Sequence, residues 1–147
     1  MLNVHFTLAY VLAALTGIAN REPERVGQKE NGGCIYAVVE NAALVPVCIV
    51  GQMFSDLGLL RLMLNSPNEV ESWNTEMQGA CNVGGHLWDS LAKYGVTADE
   101  DAQKFAHRVQ SRQDDGVTWQ DAYNGAVEDH KQDARDALDQ QFDRIFG

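Results

Sequence analysis

The sequence predicts an α+β fold: a mainly helical single domain built around one β-hairpin and carrying a long C-terminal helix. Three observations predict it. Two short apolar runs, residues 33–39 and 45–50, lie on either side of Asn41 like the arms of a hairpin. Most of the remaining chain repeats its apolar residues at helical spacing, punctuated by capping residues and glycines. And 147 residues with 45% hydrophobic content can enclose a core without metals or disulfides.

The first element is expected within residues 6–15, where Leu8, Val11, Leu12, Leu15 and Ile18 recur as the buried face of a helix. Residues 1–5 carry no Lys or Arg, and Thr16, Gly17 and Asn20 break the run short of the roughly twenty residues that span a bilayer. It therefore reads as the first helix of a cytoplasmic protein. Residues 21–32, with Pro23, Gly27 and Gly32, read as a long polar loop leading to the hairpin.

With the turn centred on Asn41, Cys34 is expected opposite Cys48, Tyr36 opposite Pro46, and Ile35 opposite Val47. Alternation then puts Cys34, Tyr36, Val38, Leu44 and Cys48 on one face and Ile35, Ala37, Val39, Val45, Val47 and Ile49 on the other. Both faces are apolar, so helices or a partner must cover them. The structural residues of the hairpin are thus Cys34, Tyr36 and Cys48.

Gly51 opens a helical segment that Gly58 closes, with a further apolar turn over residues 59–64. Ser66-Pro67-Asn68-Glu69 combines an N-cap hydroxyl, a proline at the first helical position and a glutamate at N3, which predicts a helix start. Residues 86–94 suggest a short helix with Leu87, Trp88 and Leu91 inward, stopped by Gly95. Thr97-Ala98-Asp99-Glu100 reads as a second capping box, followed by the stripe Ala102, Phe105, Ala106 and Val109 and an end near Gly116. Thr118 caps the last helix, with Asp121 at N3 and Trp119, Ala122, Tyr123, Ala126 and Val127 inward.

Residues 128–133 offer no apolar contact, and the stripe resumes at Ala134, Leu138, Phe142 and Ile145. The expected organisation is a compact helical domain over residues 1–127, with the hairpin at about 33–50, and an acidic C-terminal helix extension over residues 128–147. The four apolar side chains of that extension are the candidate protein interface.

Eleven basic against 21 acidic residues leave a net charge of −10, which argues against nucleic-acid and membrane-surface partners. A helix-turn-helix reading of the last two helices fails on the same ground, because Asp121, Glu128 and Asp129 would be repelled from a DNA groove. An acidic mimic of DNA fits the sign of the charge, although Arg and Lys are interleaved with the acids.

No catalytic, cofactor or metal site stands out, and no small-molecule substrate is implied. Cys34, Cys48, Cys81 and His86 could be assembled as a zinc set, but they lack the close pairing of structural sites. Three cysteines suit a reducing compartment, where they pack as small apolar residues; a Cys34–Cys48 disulfide is the oxidised alternative. Cys48 precedes a helix start, which can activate a thiol, so a cysteine enzyme or redox protein using Cys48 is the competing class. His5, His86, His107 and His130 are scattered, and no local motif sets one beside it. Gly84-Gly85 belongs to no phosphate loop, and Asp99-Glu100-Asp101 reads as favourable charge at a helix start.

A leading helix, Gly33-Cys34-Ile35-Tyr36, then Pro46-Val47-Cys48-Ile49-Val50-Gly51 opening a helix, then Val109-Gln110, Gln113-Asp114-Asp115-Gly116, Trp119 and Ala122 together resemble a group of small, mostly uncharacterised proteins of actinobacteriophages and actinobacteria. The resemblance covers most of the chain and stops before residues 128–147. It implies a phage-type provenance and synthesis in the bacterial cytoplasm, and carries no activity with it. The expectation is therefore a non-enzymatic protein acting by contact, with a host protein or a second copy of itself as partner.

Overall fold

The computed structural model describes residues 3–27, 29–30, 33–34, 37–40, 43–59 and 86–147. In chain order the elements are β1 (Val4–Phe6), α1 (Leu8–Arg21), β2 (Lys29–Glu30), β3 (Gly33–Cys34), β4 (Ala37–Glu40), β5 (Ala43–Pro46), α2 (Ile49–Asp56), α3 (His86–Ala92), β6 (Val96–Ala98), α4 (Glu100–Asp114) and α5 (Trp119–Phe146). The protein is mainly helical with a small set of strands. The predicted helix start at Ser66 and Cys81 of the zinc set fall outside the described residues, as does Tyr36.

Thr7 caps α1, its hydroxyl accepting from the Tyr10 N–H at 3.2 Å, and the helix buries Val11, Leu15, Ile18 and Ala19. The chain before it differs from expectation. Phe6 is not in the helix but ends a three-residue strand that pairs in parallel with β6, in the register Val4 to Val96, His5 to Thr97 and Phe6 to Ala98. That pairing also removes the Thr97 capping box. Residues 96–98 are strand, and Asp99 stands at the N-cap of α4 without capping it through its side chain.

The hairpin is displaced from the predicted register. β4 and β5 pair antiparallel with Ala37 opposite Pro46 and Glu40 opposite Ala43, so the ladder balances between Asn41 and Ala42 rather than on Asn41. A shift of one residue exchanges the two faces of a strand relative to its neighbour. Val38 therefore faces Val45, not Leu44. Cys34 belongs to a different antiparallel pair, opposite Lys29, and Cys48 lies beyond the end of β5 as the N-cap of α2. The expected Cys34–Cys48 pairing, and the disulfide it allowed, are corrected by this register; Cys48 is a free thiol.

The core described here is assembled mainly by helices. Leu15 and Ile18 of α1, Ile49, Val50, Met53 and Phe54 of α2, Leu91 of α3, Phe105 and Val109 of α4, and Trp119, Ala122 and Ala126 of α5 form one buried cluster. Phe6 brings β1 into it, with ring centroids 6.1 Å from Phe54 and 5.8 Å from Trp88. The predicted stripes on α1, α4 and the start of α5, and Trp88 and Leu91 of the one on α3, are thus the buried faces. Gly58, Gly95 and Gly116 all take positive φ just after helices, a conformation that costs glycine least.

Thr118 caps α5 as predicted, accepting from the Asp121 N–H at 3.2 Å. The helix runs for 28 residues, about 42 Å at 1.5 Å per residue. Its first two turns are bound into the core. Two ion pairs then splint it to α4: Arg112 reaches Asp129 at 2.8 Å, and Arg108 reaches Asp133. Every residue from 131 onward is exposed.

Candidate functional site

The distal part of α5 presents large apolar side chains to water. Leu138, Phe142, Ile145 and Phe146 are 60–71% exposed, and Ala134 is exposed on the same stripe. Residues four and seven apart lie on one side of a helix, so Leu138, Phe142 and Ile145 form a continuous face. Phe146 extends it, its ring 4.5 Å from that of Phe142. From Ala126 to Leu138 is twelve residues at about 100° each, a net turn of roughly a third of a circle, so the distal stripe is rotated from the centre of the buried face toward its Val127 edge. Phe146 is the member that sequence reading left out, although its spacing of four from Phe142 was visible.

A second cluster lies under Cys48. The thiol is fully buried, and its sulfur accepts from the Gly51 N–H at 3.2 Å as the cap of α2. Burial pushes its pKa up to about 12, and the Asp114 carboxylate adds to the rise; hydrogen bonds from Gly51 and Gln110 only partly oppose it. The thiol is therefore neutral and shielded at neutral pH. The activating effect of the helix start is outweighed by loss of solvent.

The neighbouring residues do structural chemistry. Gln113, buried on α4, accepts the Ile49 N–H at 2.8 Å with Oε1 and donates to Asp114 at 2.8 Å with Nε2. Gly27 passes so close that a Cβ there would stand 2.2 Å from Gln113 Nε2. Arg25 donates to the Pro46 carbonyl at 2.6 Å, pairs with Glu22 at 3.1 Å, and lies 4.3 Å over the Trp119 ring. The Trp119 backbone N–H donates to the Arg25 carbonyl at 2.7 Å. The polar loop after α1 thus ties the exit of β5 to the starts of α2 and α5. Sequence reading placed Trp119 inward and Gly27 in the loop, but assigned no role to Arg25 or Gln113. The one available signal was polar Gln110 and Gln113 falling on the apolar arc of α4.

A third group joins residues far apart in sequence. His5 Nδ1 is 2.8 Å from Thr97 Oγ1 and its Nε2 is 2.7 Å from Asp99 Oδ1. Hydroxyl, imidazole and carboxylate follow in the order of a hydrolase triad, but His5 and Asp99 are half exposed. In that wet setting charge development is poorly stabilised. The arrangement works as a clasp between β1 and β6. It also explains why Asp99 leaves its own helix uncapped. His107 and His130 are placed apart from it: burial and Arg108 lower the pKa of His107, and the His130 ring lies 6.3 Å from Phe105.

Among the described residues, no group of three or more His, Cys, Asp or Glu is placed to hold a metal, and no helix is long and apolar enough to cross a membrane. No protein-family model, curated protein or solved structure matches the chain.

Proposed function

We propose that this protein acts by binding protein, with the distal part of α5 as the contact element. In this reading residues 1–127 form one helical body around the Ala37–Pro46 ladder, and residues 128–147 carry the interaction. The observation that supports it is the run of Leu138, Phe142, Ile145 and Phe146, each more than half exposed on one helix. An amphipathic helix of this spacing is the form taken by ligands that lay an apolar face into a groove or onto another helix. The exposed rings represent unfavourable surface that docking would remove from water.

The acidic balance directs the contact to proteins rather than to phosphate backbones or anionic headgroups. The resemblance to actinobacteriophage proteins supports a phage-type origin, action in the bacterial cytoplasm and a host protein or second copy as partner. Thiol chemistry at Cys48 finds no support in a buried, neutral sulfur.

The test compares affinity purification of the tagged full chain with that of a Leu138→Asp/Ile145→Asp variant from bacteria that also carry a differently tagged second copy. Both sites are exposed, so the variant is expected to keep the wild-type melting curve while losing its co-purifying proteins. An identical set of captured proteins, including the second copy, from both chains would refute the reading.

A further inference from the structure

We infer that the partner of the α5 stripe is a second copy of this chain, paired antiparallel so that the two α5 helices cross near residue 136. The inference rests on the proposed binding role of α5 and supplies its occupant. It begins with the exposed stripe, extended toward the body. Val127, Lys131, Ala134, Leu138, Gln141 and Ile145 alternate by four and three residues, the spacing of a helix–helix seam. Val127 is half-buried at the edge of the core and the others are exposed, so the seam starts at the body and runs to the helix end.

That seam is complementary to its own reverse. Laid antiparallel about residue 136, Val127 meets Ile145 of the second copy, Lys131 meets Gln141, and Ala134 meets Leu138. Every apolar position faces an apolar one, the bulky Leu138 faces the small Ala134, and the one polar layer matches a cation with an amide. Two-fold symmetry makes each layer occur twice, as an isologous dimer requires.

The flanks agree in charge. Arg135 lies beside the seam, close to Asp139 of the second copy, and Phe142 lies beside the second copy's Lys131, where an ammonium can rest against a ring. The two Arg135 side chains approach one another near the crossing, and the two Asp139 carboxylates offset that repulsion. Within the chain, Arg135 bonds only to the neutral Gln132 amide, at 2.8 Å, among the described contacts. The more acidic turns of α5 are already engaged: Asp129 and Asp133 pair with Arg112 and Arg108 on the side facing α4. The antiparallel arrangement also sets the two bodies at opposite ends of the helix pair.

Sedimentation equilibrium of the full chain between about 1 and 200 µM reads the association directly. The expected result is a reversible shift toward twice the 16.2 kDa chain mass. Leu138→Asp is expected to weaken dimerisation by roughly a hundredfold without changing the thermal midpoint measured well below the wild-type dimer Kd, where both chains are monomeric. Register is read by charge exchange: Arg135→Asp and Asp139→Arg each weaken the dimer about fivefold, and the two together restore it. A chain that stays monomeric throughout the range overturns the self-pairing, and if it still captures another protein through Leu138, the binding role of α5 stands without it. A dimer indifferent to Leu138→Asp, or one that the double exchange fails to restore, also overturns the pairing described.

Discussion

At the residue scale, Cys48 shows how environment reassigns a side chain. Its position before α2 is one that activates thiols elsewhere, yet here the sulfur is a buried cap acceptor. The folded state holds its proton up to about pH 12, whereas an exposed thiol releases it near 9.0. The stabilisation from burying the neutral form is therefore complete below pH 9.0 and is lost as the pH rises from there toward 12. The slope is about 1.4 kcal/mol per pH unit. Chemical denaturation at about pH 8 and pH 10 should show wild type losing roughly 1 kcal/mol more than Cys48→Ala over that interval. Equal losses would mean that the thiol is not buried as described. Iodoacetamide mapping gives the matching readout: the Cys48 peptide is labelled only after denaturant is added.

At the scale of elements, α5 is held by two different means. Trp119, Ala122 and Ala126 bind its start by burial, while Arg112–Asp129 and Arg108–Asp133 hold its middle by charge. These ion pairs are partly exposed, so each contributes less than about 1 kcal/mol and is weakened by salt. Asp129→Asn/Asp133→Asn should leave the global melting midpoint nearly unchanged but speed amide hydrogen exchange over residues 127–136. The difference from wild type should shrink at high ionic strength. A large fall in global stability would show that the middle of α5 belongs to the cooperative core.

The elements also show how far local pattern reaches. The buried faces of α1, α4 and the start of α5, Trp88 and Leu91 of α3, the Thr118 cap and the glycine stops were legible, because each depends on residues within a turn or two of one another. β1 and β6 were not. Each is three residues long, and their partners stand about ninety positions apart, as His5 and Thr97 do. The hairpin register escaped for a different reason: both faces of its strands are apolar, so alternation does not distinguish one register from the next. The exposed stripe on α5 was legible as a pattern, and its isolation from the body came from α5 running on past its last buried residue, Ala126.

At the scale of the whole molecule, the governing quantity is the net charge of −10. Duplex DNA should show no electrophoretic shift with this protein near 150 mM salt, because its long-range field opposes the phosphate backbone. Binding that strengthened as salt was lowered would reveal a basic patch and count against the proposed partner class. The same field disfavours close approach of two copies at low salt, so the proposed dimer should tighten modestly as salt rises from about 20 to 150 mM.

The sequence by itself determined the helical faces, the Thr118 cap, the acidic surface and the stripe at the end of α5, since all of these follow from near neighbours or from composition. Tertiary structure alone decided that Cys48 caps a buried helix, that His5 clasps Thr97 and Asp99, and that Arg25 and Gly27 close the loop against Trp119 and Gln113. Each of those outcomes depends on which distant backbone arrives beside the residue. Burial, hydrogen-bond partner and pKa are set by that arrival, and no local pattern encodes it.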